Sequence, residues 1–494
     1  MRVKKLMIVL SLVFTILLLN ACGDNARTDG VDSAESQVTE TKAIETTEMK
    51  YTPNLPELNF EGEEFRVVGI DPATYNICLD FDIEEETGDV LLDAIYLRNR
   101  TIEEKYNVKF VSSYLPEYPN TTEKLKNTVL AQSDEYEMIM VINRDAFSSA
   151  LAGYVTPLKD IPHIDITQPW YHNGVNEQFA IKGKMFFAYT DECLNMYSQT
   201  LAALFNKKFI ADYNLESPYQ YVLDGTWTMD KFYEMAVSVI NDVNGDGVFD
   251  TTDIQGITTE PDMFFPSFWI GSDVRTVTIN NEGIPEFTAP SDEKLLSILD
   301  KMYNWVLTDG FYVESFKSFG GGEQARVKGS EHFSQNMSMF RVGVLASVLD
   351  LRNMDSDFGI LPLPKYDEAQ KDYVSRMIDG WIHVVPMTNT KLELTGAMIE
   401  ALGAESKNEV IPTFFDIALK TKISRDNESA EMMDILFNNL TVDLGDTVWQ
   451  NTIRGIITGH LDGKRDGFVS LLEKMVNPVD KLINDALTAV DSLS

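Results

Sequence analysis

Between residues 64 and 142 the chain alternates strand and helix signals, and that alternation narrows the fold more than any other feature of the sequence. EEFRVVGID predicts a strand over about 64–70, ended by Gly69 and Asp71. VLLDAIYLRNRTIEEKY follows, with Leu92, Ile95, Tyr96, Ile102 and Tyr106 spaced for one face of a helix. A strand over 108–113, a helix over 121–132 and a strand over 136–142 complete the series. Strand, helix, strand, helix, strand in so short a span calls for crossover connections, so the strands run parallel and the class is α/β. In such sheets ligands gather beyond the carboxyl ends of the strands. Those ends offer Asp71 to Tyr75, and the run Asn143, Arg144, Asp145.

The 494 residues exceed one ordinary core and suit two lobes. Further elements are expected as a strand over 185–190 and, within TLAALFNKKFIADYNL, a strand running into a short helix. Thr228 caps a helix that buries Phe232, Met235, Ala236, Val239 and Ile240. With 44% hydrophobic and 24% charged residues a packed interior is available. A formal charge of −36 makes nucleic acid and anionic lipid surfaces poor partners for the body of the protein.

The first residues point to export. Arg2, Lys4 and Lys5 precede the apolar run Leu6 to Leu19, too short for a permanent span and suited to a signal peptide over 1–21. LNAC, ending at Cys22, resembles a bacterial lipobox, which makes Cys22 the expected lipidation site and the acyl chains the only membrane contact. Asn20 is unusual for that motif, and simple cleavage with Cys22 as a bystander is the alternative. From about 22 to 55 the chain turns to Thr, Glu, Ser, Asp and Ala, too polar to order itself, and reads as a tether. Cys78 and Cys193 remain, and sequence leaves their pairing open.

NDVNGDGVFDTTDIQG, at 241–256, presents oxygens in the order of a calcium loop. The donors are Asp242, Asn244, Asp246, the Val248 carbonyl, Asp250 and Asp253, with Gly247 at the sharp turn. The pattern resembles EF-hand and dockerin loops, although Asp253 stands where an EF-hand places Glu, and no second copy follows. A single closed cage without an acid–base pair beside it reads as a structural Ca²⁺ clip; an Asx-rich turn without metal is the alternative.

Several stretches together carry a family resemblance: the leader, QPWYHNGVNEQFAIKGKMFFAYTD, ALFNKKFIADYNL, YVLDGTWTMDKFYEMA, DVNGDGVFDTTDIQG, FGILPLPKYDEAQKDYVS and GWIHVVPMTN. Their order is similar to that of bacterial extracellular solute-binding lipoproteins of family 1, the oligosaccharide- and maltose-binding type of ABC importers. The resemblance implies a two-lobed periplasmic-binding-protein-like (type II) fold with a hinge and an interlobe ligand cleft. It also implies a monomer that takes a small solute, a mono- or oligosaccharide, to the transmembrane subunits of an ABC permease at the outer face of the cell membrane. By analogy, lobe I spans 56–197 and lobe II 198–378, with a first crossing at Tyr197 to Asn206. The return to lobe I covers 379–435, beginning at Asp379 to Pro386, and the helices over 436–494 pack on lobe II after a last crossing near 435. A secreted carbohydrate-active enzyme and a calcium-dependent surface adhesion or scaffold protein are the other readings.

A sugar cleft needs flat apolar faces and planar polar groups. Trp381, after Gly380 at the return crossing, is expected as a platform, and Trp269, between Pro266 and Gly271, as part of a cleft-facing loop. Trp305 continues a buried helical stripe, Trp227 opens a helix as a structural residue, and Trp170 and Trp449 are weaker candidates. The polar candidates are Asp71, Asn143, Arg144, Asp145 and Asp191, each following an expected strand, with Tyr75 beside the first; Arg341 and Arg376 are further possibilities. No catalytic residue is expected. His163, His172, His332, His383 and His460 lack metal-ligand spacing, no G-x-S-x-G elbow occurs, and the glycines at 320–322 lack the Lys-Ser/Thr of a phosphate loop. Close carboxylate pairs are inevitable among 77 acids and carry no specificity.

Overall fold

The first sheet is built from the alternating region. β1 (Glu63–Ile70) lies between β2 (Val108–Leu115) and β3 (Met138–Ile142), both parallel to it, and β12 (Trp381–Val384) closes the edge antiparallel to β3. The computed structural model describes residues 50–73, 81–351, 353–417 and 426–493. Phe65 and Val67 join one apolar cluster and Val68 another, so both faces of β1 are covered, as a parallel sheet requires. The crossovers are α1 (Val90–Tyr106) and α2 (Tyr118–Leu130), and α3 (Asn143–Leu151) leads away from β3. Asp89 caps α1 by accepting the N–H groups of Leu91 and Leu92, and left-handed Asn107 (φ 49°) ends it.

The second sheet has five strands: β4 (Leu201–Asn206), β5 (Gln255–Thr259), β8 (Tyr312–Glu314), β9 (Ser338–Val344) and β10 (Phe358–Leu361), in the order β10-β4-β9-β5-β8. β5 runs parallel to both β8 and β9, while β4 is antiparallel to its neighbours. A small hairpin pairs β6 (Val277–Ile279) with β7 (Pro285–Phe287). Four short helices, α4 (Asn173–Asn176), α5 (Asn195–Ser198), α6 (Lys207–Asp212) and α7 (Pro218–Leu223), serve as connectors. Around the sheet stand α8 (Met229–Ser238), α9 (Pro261–Gly271), α10 (Glu293–Leu307), α11 (Ser315–Phe319) and α12 (Gly322–Ser334). Thr228 accepts the Lys231 N–H to cap α8. The core is aromatic: Phe232 stacks on Phe340 with centroids 4.5 Å apart and also meets Phe268 and Trp305. Such ring pairs add about 1 kcal/mol each beyond their buried area.

Backbone pairing joins the lobes where the chain crosses. Thr200 bridges Met377, and the Ile378 N–H donates to the Gln199 carbonyl. β11 (Ser375–Arg376) pairs in parallel with β13 (Leu440–Thr441), adding a third strand to the crossing. α13 (Leu392–Glu405) and α14 (Ile411–Ile417) lie against α1 in lobe I. α15 (Asn427–Asn438) already packs on β10, where Met433 and Leu436 share a cluster with Leu204 and Phe358. The last crossing therefore precedes Asn427 and does not lie near 435. α16 (Arg454–Asp462) packs on α9 and α10, and α17 (Phe468–Ser492) lies on the β6–β7 hairpin while also reaching α3 of lobe I.

The stretch 185–190 is not a strand. Asn176 supplies the partners a neighbouring strand would have given: its Oδ1 accepts the Tyr189 N–H at 2.7 Å, and its Nδ2 donates to the Tyr189 carbonyl at 3.1 Å. Among the described residues no helix is long and apolar enough to cross a membrane.

Candidate binding cleft

The crossings define which sheet edges meet. One pass enters the second sheet at the first residue of β4, and another leaves the hinge at the first residue of β12. The edges flanking those points hold the carboxyl ends of β1, β2 and β3 in lobe I and of β5, β8 and β9 in lobe II. These are the ends the two lobes turn toward each other.

The lobe I wall gathers residues from four separate segments. Asp71 follows β1 and accepts the Ala73 N–H. Tyr118 opens α2 after β2, and its ring lies 5.6 Å from that of Trp381. Arg144, in the first turn of α3, places its guanidinium 5.5 Å over the Tyr118 ring and is ion-paired with Asp379. Asp145 accepts from the Thr122 hydroxyl at 2.9 Å. Asn143 is buried, with its N–H on the Gly380 carbonyl and its Oδ1 on the Arg144 N–H. Asp379 has left-handed backbone (φ 44°), which Asp tolerates better than most side chains. Gly380 must be glycine because a Cβ there would come within 2.5 Å of the Tyr189 hydroxyl.

The lobe II wall repeats this pattern with Phe316, Arg326, Asp262 and Glu260, which the sequence alone did not single out. Arg326 of α12 lies 5.4 Å over the Phe316 ring of α11 and bonds Asp262 at 2.9 Å. Glu260, at the end of β5, stands 3.8 Å from Arg326 and 3.2 Å from Arg341. Burial pulls the Arg326 guanidinium down, but Asp262 and Glu260 more than reverse this and hold it above the usual arginine value. Arg341 is buried behind the wall and also donates to the carbonyls of Thr258 and Arg326. Ser315 Oγ and Asp262 Oδ1 are buried polar atoms without a hydrogen-bond partner in the structure. Unpaired buried groups cost free energy, so these two atoms lower the stability of the packing behind the wall. α11 joins α12 through Gly320, Gly321 and Gly322, all with positive φ, a turn open only to glycine-like backbone. The available sequence signal was Glu260-Pro-Asp262 directly after the β5 segment, an acid–proline–acid helix start at a strand end.

Other expected site residues lie elsewhere. Trp269 sits within α9 and is fully buried, because Phe264, Phe265, Phe268 and Ile270 make that helix apolar on all sides. It is a core residue and not a cleft-facing loop. Asp191 is 1% exposed and is held by Lys407 at 3.1 Å and His172 at 2.9 Å, away from the wall. Arg376 is buried in the hinge, bidentate to Asp446 at 2.7 and 2.8 Å and bonded to the Asp262 carbonyl at 3.0 Å. Trp227 donates to the Pro362 carbonyl inside the lobe II core, where Trp305 also lies. Tyr75, Cys78 and Cys22 fall outside the described residues; Cys193 is a free, buried thiol.

A cavity of about 40 Å³ lies behind Trp381, lined by Phe81, Arg98, Glu192 and His383 among others. Burial alone would raise the Glu192 carboxyl, yet His383 and Arg98 pull it down to about 2. A larger cavity of about 460 Å³ is lined by Phe249, Tyr312, Glu314, Lys317 and Asp462 among others.

The loop over 242–253 is closed by its own side chains. Asp253 is fully buried, and its two oxygens accept the N–H groups of Val243 and Asp250 at 2.9 and 3.1 Å. Asp242 accepts from Gly245 and Gly247, Asn244 from Asp246, and Asp246 from Val248. The donors are hard oxygens suited to calcium. Among the described residues, however, no group of three or more His, Cys, Asp or Glu side chains is gathered closely enough to hold a metal ion.

No protein-family model and no curated protein matches the sequence. Solved structures match its fold. The sugar-binding protein MalE from the phytopathogen Xanthomonas citri is 14% identical with a TM-score of 0.56, over 85% of this chain and 97% of that one. A cyclo/maltodextrin-binding protein complexed with maltotetraose is 12% identical with a TM-score of 0.54, over 87% of this chain and 97% of that one. An ABC substrate-binding protein from Listeria monocytogenes in complex with cycloalternan is 11% identical with a TM-score of 0.54, over 86% of this chain and 99% of that one. The chain shares with them the two-lobed α/β fold of solute-binding proteins, with a hinge between the lobes.

Proposed function

We propose that this chain is a solute receptor whose guest is a carbohydrate, held between the lobes and passed to an ABC import permease without chemical change. The observation that carries this reading is the repetition across the cleft. Each facing sheet edge ends in a half-buried aromatic ring under an arginine that is paired to an aspartate, Tyr118–Arg144–Asp379 on one side and Phe316–Arg326–Asp262 on the other. Flat rings suit the C–H faces of pyranoses, and ion-paired planar groups suit hydroxyl pairs. The named solved structures are described as binding maltotetraose and cycloalternan, which supports the same class of guest here.

The leader and LNAC support export and anchoring through Cys22 at the outer face of the membrane. The loop over 242–253 is proposed as a structural calcium clip on the strength of its donor order. Calcium would draw Asp242, Asp246 and Asp250 together and stabilise lobe II by mass action. EDTA should then lower the melting temperature and added Ca²⁺ restore it; an unchanged melting curve removes calcium from the account.

The receptor reading is tested by calorimetry and small-angle scattering with the lipid-free chain and a saccharide panel. Binding with a smaller radius of gyration and full recovery of the unaltered saccharide is expected. A released hydrolysis product, or no binding and no closure with any saccharide, overturns it.

A further inference from the structure

Among the described residues, the arginines of the two cleft walls are each already paired with an acid of the chain. Arg144 is spent on Asp379, Arg326 on Asp262 with Glu260 near, and Arg341 on Glu260. Helix N-termini at strand ends are the usual alternative source of anion binding, since their free N–H groups carry partial positive charge. Here two of them, those of α1 and α11, are capped by acids of the chain itself, those of α3 and α9 carry an acid in the first turn, and that of α2 carries none. Asp89 caps α1, Asp145 lies in the first turn of α3, Asp262 lies in the first turn of α9, and Glu314 accepts the N–H groups of Phe316 and Lys317 at the start of α11.

Resting on the receptor reading above, we infer that this cleft excludes anions, so that its solute is a saccharide without carboxylate, phosphate or sulfate, bound through hydroxyl donors. Among the described wall residues, an acidic sugar entering would meet several carboxylates and only arginines already paired to acids, in a site whose closure removes the screening water.

The test has two arms. In the first, wild-type protein is titrated with neutral tetrasaccharides (maltotetraose, cellotetraose, xylotetraose) and with acidic ones (tetragalacturonate, tetraglucuronate). A neutral chain is expected to bind, and every acidic chain to bind at least about a hundredfold more weakly than the best neutral one. An acidic chain that binds as tightly as any neutral chain overturns the inference. In the second arm, Asp379→Asn and Asp262→Asn each release one arginine. Inorganic phosphate should raise the melting temperature of these variants saturably and leave that of the wild type unchanged. Phosphate stabilisation of the wild type, or none in any folded variant, overturns the inference; the Asp379→Asn chain keeps the arm usable should loss of Asp262 impair folding. Failure of all saccharides in the first arm defeats the receptor reading alone, because the phosphate arm still decides the charge arrangement.

Discussion

The two walls of the cleft use the same parts but rest on different foundations. The lobe II arginine is held from beneath. Arg326 shares Glu260 with Arg341, and Glu260 and Arg341 are nearly solvent-free, with side chains 1% and 2% exposed. The lobe I arginine is held from the side, by Asp379, whose backbone belongs to the hinge and whose side chain is 34% exposed. One wall is thus part of a lobe's core, while the other changes partner geometry whenever the hinge turns. Wall II is suited to fix the guest's orientation and wall I to report its presence to the hinge.

The contrast is largest in stability. Glu260→Gln leaves Arg341 buried without its counter-charge, and breaking a buried pair from one side costs about 3–5 kcal/mol. Chemical denaturation should show a loss of that size. A loss below about 1 kcal/mol would mean that wall II is no better founded than wall I.

Lobe I has its own conditional element, away from its wall. Glu400 of α13 accepts from the Tyr171 hydroxyl at 2.5 Å and the Asp165 N–H at 3.1 Å, and burial raises its carboxyl to about 7. The folded state therefore holds this proton more tightly than the unfolded chain, whose glutamate titrates near 4.5. The stabilisation is fully present below about 4.5 and is lost as pH rises through about 7. The decline is about 3 kcal/mol. Glu400→Gln should flatten that part of the stability–pH curve, and an unaltered slope would assign the decline to other groups.

Much of lobe I was legible because its sheet is written in local order. Three strands and two helices follow one another within 64–142, and the strand ends name Asp71, Asn143, Arg144 and Asp145 directly. Trp381, expected as a platform from the glycine before it, is instead 4% exposed and packs with Ile70, Met140 and Ile142. Lobe II was less legible because its sheet interleaves distant segments: β9 lies between β4 and β5, and β8 pairs with β5 across an intervening hairpin and two helices. Phe316 and Arg326 stand on either side of three glycines, and only the folded turn brings ring and guanidinium together. Trp269 misled because Pro266 suggested a loop, whereas the proline is accommodated inside an otherwise apolar, fully buried helix. Asp191 misled because Asn176 imitates a strand partner for the stretch before it.

Binding should separate the walls next. Arg326→Met and Arg144→Met each remove a charge-assisted set of hydroxyl contacts, so each should weaken the saccharide by about 2 kcal/mol, roughly thirtyfold. The two losses should differ in kind. Arg326→Met is expected to keep the full decrease in radius of gyration at saturation, whereas Arg144→Met is expected to reduce it, because the hinge loses its contact with the guest. Equal closure in both variants would break the assignment of reporting to wall I.

The smallest effect lies at Asp379 itself, and its size depends on backbone as much as charge. The Arg144–Asp379 pair is partly exposed, and such pairs contribute about 0–1 kcal/mol. Asn tolerates the left-handed conformation as Asp does, so Asp379→Asn should change stability by less than about 1 kcal/mol. Asp379→Ala removes the same charge but places a residue ill-suited to φ 44° in the hinge, adding about 1 kcal/mol of strain. Denaturation of the two variants side by side therefore divides charge from conformation. If Asn costs as much as Ala, the ion pair and not the backbone holds this end of the hinge. If Asn costs as much as Glu260→Gln, wall I is founded as deeply as wall II and the difference between the lobes disappears.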